Sequence, residues 1–382
     1  MKVLAFYLPQ YHEIPENNQW WGKGFTEWTN VKKAKPMALN HYQPRVPLNN
    51  NYYCLLDKGN TTFHWQVDLA RKYGVYGFCM YHYWFNGHLL LEKPMEKWLK
   101  DKTIHFPFCV CWANEKWTNG WVSSENRVLI DHDFSDYDDW VNHFNYLLPF
   151  FMDERYIRVD EKPLVGLYVP DLMGKYLEPF IKCWRELALE NGLPGLTFFY
   201  QSVKSYMTPG FQKQLFDYGV EFQPGFTRYG PAAGEKKAGD VINDSLVKVS
   251  HFLQKHLHIY LHCKRKQAET LSYDDMWNKV LQDGPYESNM FPGAFVDWDN
   301  TCRKHESGSY FTEATPEKFE KYMTKQIQRA RDIYKKEYLF LFAWNEWGEC
   351  GYMEPDSKFA YGYLEALKKA LEANNEFPEW EV

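Results

Sequence analysis

The segment WNEWGEC, Trp344 to Cys350, sets Glu346 and Glu349 three residues apart among tryptophans, directly after the apolar run YLFLFA (Tyr338 to Ala343). Two carboxyl groups at the mouth of one pocket suit chemistry at an anomeric carbon. One exchanges a proton with the leaving oxygen, and the other stabilises or activates the opposing group. Glu346 and Glu349 are therefore the catalytic candidates. On an extended strand, residues three apart face opposite sides and lie roughly 10 Å apart, whereas a helical turn after Trp347 makes them neighbours. The spacing leaves their separation, and hence the stereochemical outcome, open. Two carboxyls sharing a dry pocket should split their pKa values, one being pushed up to act as an acid. The competing explanation is a helix N-terminus decorated with Glu, which the helix dipole favours.

The elements that would position such a pair are legible as eight short apolar runs: Val3 to Leu8, Gly77 to Tyr83, Phe106 to Trp112, Leu164 to Tyr168, Leu196 to Tyr200, Val220 to Gln223, Gly293 to Trp298 and Leu339 to Trp344. Runs of this length without clean alternation read as strands buried on both faces, and helical patterns between them imply parallel crossovers. Before the last strand, Thr315 caps a helix with Pro316 at its first position and an apolar stripe of Phe319, Met323, Ile327, Ala330 and Ile333. After it, Phe359 to Glu372 supplies a closing helix carrying Leu364, Leu367 and Leu371. Eight strand-plus-helix units predict an α/β fold, a single (β/α)₈ TIM-type barrel over residues 1–382. An open doubly wound sheet is the alternative. Two long loops stand out, Pro9 to Thr61 after strand one and Pro224 to Phe291 between strands six and seven, the latter a helical insertion at about 224–291. Loops of that length are candidates for cleft walls.

In such a barrel, sites form at the C-terminal ends of the strands. Reading past each run gives polar and aromatic residues of the kind that line a sugar pocket. The binding candidates are Tyr11, His12 and Trp28 from the first loop, His82 and Trp84 after strand two, and Trp112 and Asn114 after strand three. Asp297 and Trp298 follow strand seven; Asn345 and Trp347 flank Glu346. Each has a plainer alternative: a satisfied core histidine for His12 or His82, wall packing for Tyr11, Trp28 or Trp84. Glu115 is expected to be solvated and Asp299 to cap a turn.

Composition narrows the partners. The 16 Trp, 28 Tyr and 27 Phe, 19% of the chain, often adjoin Asn, His, Glu or Gln, a pairing that suits sugars stacking on rings and hydrogen-bonding at their edges. An oligosaccharide or polysaccharide is the expected substrate. Net charge is −6 with basic residues dispersed, against a nucleic-acid partner. No apolar stretch approaches the roughly 18 residues that span a bilayer, and MKVLAFYLPQYHE turns polar too early for a signal-peptide core, so a cytoplasmic protein is expected. The eight cysteines read as buried reduced thiols. His256, His258, His262 and Cys263 lie in an amphipathic helical pattern without a second ligand pair, so no metal is expected. The acids between Asp131 and Asp138 read as a helix start capped by Ser135. With no phosphate-cradling glycine loop or nucleophile elbow after any strand, no cofactor is expected.

Four segments, AFYLPQYHEIPENNQWWGKGFTEWTNV, YGVYGFCMYHYWFNG, FPFCVCWANEKWT and FAWNEWGECGYMEPD, resemble the WbsX-type family of polysaccharide-biosynthesis proteins, itself similar to glycoside hydrolase family 99. The resemblance runs from the first strand to the last helix. It implies a (β/α)₈ barrel acting at glycosidic bonds without a metal. It also implies roles: Glu346 deprotonates the neighbouring 2-hydroxyl to form an anhydro-sugar intermediate, and Glu349 is the acid/base, a retaining mechanism on an α-linked glycan. Cys350 departs from the pattern, which has Gly there. WbsX-type proteins are commonly labelled glycosyltransferases of O-antigen assembly, so transfer in lipopolysaccharide or capsule synthesis is the second reading. A glycan-binding barrel without turnover is the third.

Overall fold

The computed structural model describes residues 1–119, 127–201, 210–230 and 267–380. Its central sheet is a barrel of parallel strands: β1 (Lys2–Tyr7), β2 (Val75–Phe85), β3 (Phe108–Trp112), β4 (Lys162–Leu167), β5 (Thr197–Tyr200), β6 (Tyr218–Val220), β7 in two pieces (Met290–Phe291 and Gly293–Phe295) and β8 (Tyr338–Phe342). The ladder runs from the first piece of β7 through β6, β5, β4, β3, β2, β1 and β8 to its second piece. Nine parallel segments thus make eight strands, and the sheet's two ends meet at Pro292. Proline has no N–H for the ladder, so β7 pairs with β6 before it (Val220 with Phe291) and with β8 after it (Gly293 with Phe340).

Seven of the eight apolar runs read from the sequence fall on these strands, and the sixth, Val220 to Gln223, starts at the last residue of β6 and runs past it; helices lie between most of them, so the barrel displaces the open sheet. Strands β1, β3 and β8 are buried along nearly their whole length. Phe6, Phe199 and Phe340 meet inside the barrel, with ring centroids 5.3 to 5.6 Å apart for the Phe6–Phe340 and Phe199–Phe340 pairs. Gly166 on β4 makes room for them: a Cβ there would sit 2.3 Å from the Phe199 ring.

The outer helices follow their caps. Thr315 accepts from the Lys318 N–H at 3.3 Å, and the helix runs Pro316–Arg329 with Phe319, Met323 and Ile327 buried. It then widens into a π-turn over Ala330–Tyr334. The wider turn carries Tyr334 inward and leaves Ile333 half exposed, off the expected stripe. The closing helix, Gly362–Ala373, buries Leu364, Leu367 and Leu371. The helix Tyr137–Phe151 is capped by Asp136, which accepts from the N–H groups of Asp138 and Asp139; Ser135 instead bonds Asp133, correcting the expected cap. Of the long segment before β7, the helix Tyr273–Gln282 is described, while the patterns around Asp244 to Lys264, the histidine cluster included, lie outside the described residues. Among the described residues, no helix is long and apolar enough to cross a membrane.

Candidate active site

At the C-terminal ends of the strands lies a cleft of about 480 Å³, within the usual range for ligand sites; Glu346 and Glu349 both line it. The local fold brings them together. After β8, Asn345 and Glu346 pair antiparallel with Tyr352 and Gly351, and Trp347–Glu349 forms one 3₁₀ turn. Side chains at i and i+3 eclipse in such a turn, so Glu349 comes round to the side of Glu346. Cys350 closes the turn with φ of 56°, the left-handed conformation that glycine usually supplies. Cys350 thus takes a backbone conformation that glycine adopts readily, and its thiol receives a hydrogen bond from Gln43 Nε2 at 3.3 Å.

One guanidinium ties the acids together. Arg303, from the loop after β7, places Nη2 3.0 Å from Glu346 Oε1 and Nη1 3.4 Å from Glu349 Oε1. The same Nη2 lies 2.7 Å from Oε1 of Glu27, from the loop after β1, which also accepts from Nε at 3.0 Å. Burial pushes the Glu346 carboxyl up to about 8, against the pull of Arg303 and with the charges of Glu349 and Glu27 adding to the rise. Burial likewise raises Glu349, opposed by Arg303 and Lys304 and assisted by Glu27. Burial thus raises the proton affinity of both acids of the turn, while the arginine they share works against that rise.

Strand parity separates the binding candidates. Side chains alternate across a strand, and on β2 Tyr81 and Tyr83 point into the cleft while His82 and Trp84 point out against the helix Tyr137–Phe151. There His82 Nε2 lies 2.9 Å from His143 Nε2, and the Trp84 indole donates to Asp139. Trp112 likewise faces outward, donating to the Trp84 carbonyl, whereas Ala113 and Glu115 line the cleft. Asn114 is consumed by the Val169 backbone, donating at 2.9 Å and accepting at 2.8 Å.

Other candidates build the floor beneath the acids. Asn345 bonds both backbone groups of Leu8, and Tyr11 accepts from the Trp347 N–H at 3.2 Å while donating to the Asn345 carbonyl. The Trp347 indole donates to Glu354 at 2.6 Å, and its ring stacks on Tyr352 with centroids 3.8 Å apart. Trp28 donates to the Tyr53 carbonyl at 2.8 Å and packs on Tyr11 and Trp347. Asp297 is ion-paired to Arg45 at 2.8 Å, and Asp299 takes His41 at 2.8 Å and Gln43 at 2.6 Å, latching the β1 loop onto the loops of β7 and β8. His12 is buried, its imidazole pushed down to about 4 by that burial.

Of the eleven binding candidates, Trp298 thus lines the cleft. Polar atoms of Tyr11, Trp28, His82, Trp84, Trp112, Asn114, Asp297, Asn345 and Trp347 are engaged with neighbouring loops, strands or a helix, and the lining includes neither these nine nor His12. Glu115, expected to be solvated, lines the cleft with Trp117. Glu27, Arg303, Tyr81, Tyr83 and Tyr168 were not singled out by sequence; strand alternation groups Tyr81 with Tyr83, and Cys111 with Ala113 and Glu115, but does not say which set faces inward. Among the described residues, no group of three or more His, Cys, Asp or Glu is placed to hold a metal ion.

The family model for glycosyltransferase WbsX matches residues 3–367. The chain belongs to the WbsX glycosyltransferase family. This WbsX-family chain is 32% identical over 371 residues to the uncharacterised protein WxcX of Xanthomonas campestris pv. campestris strain ATCC 33913, and 33% identical over 377 residues to WxcX of strain B100. Each alignment covers 97% of the chain and 49% of the relative, so the chain spans about half the length of these relatives. Among solved structures it is similar to the GH99 endo-alpha-mannosidase of Bacteroides thetaiotaomicron, at 12% identity and a TM-score of 0.56, covering 98% of this chain and 97% of that one. A glycoside hydrolase-like protein matches with a TM-score of 0.53 at 12% identity, covering 97% of this chain and 93% of that one. At such identity the likeness is one of fold, the (β/α)₈ barrel. Family and fold together support a glycan-acting enzyme.

Proposed function

We propose that this WbsX-family chain cleaves an α-linked glycan with retention, by a neighbouring-group mechanism in which Glu346 takes the proton of the 2-hydroxyl and Glu349 serves the glycosidic oxygen. The observation that carries the reading is the meeting of two buried carboxyls at one guanidinium, in a cleft that tyrosines and tryptophans line at the mouth of the barrel. Burial gives each carboxyl a raised affinity for protons. The scheme places the proton shared by this pair on Glu349, which hands it to the departing oxygen, and leaves Glu346 ionised. Glu346, once ionised, is a stronger base than an exposed carboxylate and suits a weakly acidic hydroxyl. Trp298, Trp117 and Tyr83 offer ring faces for sugar stacking.

The second reading, glycosyl transfer, is favoured by the family's own description. Incubation with a panel of α-linked polysaccharides, with product anomers followed by NMR, runs beside a nucleotide-sugar hydrolysis assay. Retention of configuration on a cleaved glycan supports the first reading; turnover confined to a nucleotide sugar replaces it with the second. Glu346→Gln and Glu349→Gln should each lower turnover by about 10² to 10⁴. Activity surviving either change removes that residue from the scheme.

A further inference from the structure

Glu27 comes from the far end of the sequence and is among the most buried carboxylates near the cleft, with 7% side-chain exposure. It grips Arg303 through two nitrogens, Nη2 at 2.7 Å and Nε at 3.0 Å, which leaves the outward edges of the guanidinium to Glu346 and Glu349. A second observation is independent of charge. Gly348, between the two acids, lies directly against this grip: a Cβ there would stand 2.2 Å from Glu27 Oε1 and 2.3 Å from Arg303 Nη2. Its φ is not positive, so what a side chain would meet here is the Glu27–Arg303 pair, which would have to shift, rather than backbone strain. The acid loop, Glu27 and Arg303 are thus packed as one unit.

We propose that Glu27 is a positioning residue, a clamp from the β1 loop that orients Arg303 so that one guanidinium faces both acids of the turn and fixes the charge between them. The inference rests on the proposed roles of Glu346 and Glu349 for its catalytic consequence, and on geometry alone for the clamp. Other ionisable groups around it are Tyr11 from the β1 loop, Tyr83 on β2, Glu115 after β3, Tyr168 after β4, and Cys302 and Lys304 beside Arg303. Burial pushes the tyrosines and the Cys302 thiol upward, so they stay neutral through the working range. Lys304, which opposes Glu27 at Glu349, and Glu115, of the same sign as Glu27, are the other charged side chains lining this part of the cleft.

The test uses Glu27→Gln, which keeps the shape and removes the charge, and Gly348→Ala, which keeps every charge and wedges a methyl into the clamp. Carboxyl carbons of ¹³C-glutamate-labelled protein are titrated by NMR beside steady-state kinetics and a thermal melt. In Glu27→Gln the upper titration of the Glu346–Glu349 pair should fall by about half a pH unit or more, as expected for losing a like charge a few ångströms away. Its kcat should drop about tenfold to a hundredfold with KM little changed, as for a misplaced catalytic group. An unmoved titration overturns the proposal. If Glu27→Gln does not fold, Gly348→Ala decides: an unchanged kcat, or an unchanged titration where no activity is measurable, overturns the clamp. Should the natural chain cleave no glycan while Gly348→Ala, which keeps every charge, shifts the pair's titration, the clamp stands and the proposed function falls. A normal shift with activity that is indifferent to Glu349→Gln gives the same division.

Discussion

Glu221, directly after β6, is a buried carboxyl outside the cleft, and its replacement by Gln gives a stability change whose pH dependence can be worked out in advance. One of its oxygens accepts from the Tyr334 hydroxyl at 2.7 Å; the other, Oε1, is buried without a hydrogen-bond partner. Burial pushes the group from 4.5 up to about 7. The folded chain therefore holds this proton more tightly than the unfolded chain. The cost of ionising Glu221 inside the protein is absent below pH 4.5, grows between 4.5 and 7, and is fully present above 7. At about 1.4 kcal/mol per unit, the rise amounts to about 3 kcal/mol. Glu221→Gln cannot ionise, so its stability relative to the natural chain should improve by about 3 kcal/mol between pH 4.5 and pH 8. Any penalty for burying the amide nitrogen it introduces is the same at both pH values and cancels in the difference. A chain of 382 residues unfolds with an entropy of about 0.8 kcal/mol/K, so the relative gain in Tm is about 4 °C. Urea titrations and thermal melts of both proteins at pH 4.5 and pH 8 measure it. Glu346 and Glu354 are also raised by burial, yet they are common to both proteins and drop out. A stability difference that is the same at the two pH values would refute the reasoning.

Three further outcomes are expected. The rate of the natural enzyme should fall as pH rises through about 8, when the acid pair loses its last proton, and kcat/KM measured from pH 5 to pH 9.5 should show that alkaline limb. Arg303→Met leaves Glu27, Glu346 and Glu349 buried without their shared cation, and should cost about 3 to 5 kcal/mol at pH 8 by urea denaturation, less at pH 5 where the carboxyls can take up protons instead. Asn114→Ala removes both hydrogen bonds to the Val169 backbone and should cost about 1 to 3 kcal/mol of stability with KM unchanged; a raised KM with full stability would return Asn114 to the binding set.

The strands were legible because each is an apolar run bounded by turn residues, and because both faces of a barrel strand are buried. That same double burial hid the parity. In CMYHYWF every residue from Cys79 to Phe85 is buried, so composition cannot distinguish Tyr81 and Tyr83, which face the cleft, from His82 and Trp84, which face a helix. The acid pair was legible because both members sit in one short segment after the last strand. Glu27 and Arg303 were not, since one charged residue in each of two loops gains its meaning only when those loops meet. Ile333 was misplaced because a regular helical period was carried through a turn that widens. Cys350 stood out only as a departure from a pattern with Gly; its left-handed backbone, which costs a non-glycine residue about 1 to 2 kcal/mol, is visible in the structure alone, where buried packing and the bond from Gln43 help offset that cost.

The latch between the β1 loop and the loops of β7 and β8 has a consequence for how the molecule comes into being. Arg45 must find Asp297, His41 must find Asp299, and Glu27 must find Arg303. More than two hundred and fifty residues separate the members of each pair. A chain emerging from the ribosome would complete its first strands and helices long before these partners exist. Its carboxyls would remain in water at ordinary acidity until the final strand slid between the first and the seventh. Competence for chemistry would then arrive in one late step, with nascent fragments inert toward any sugar they encounter.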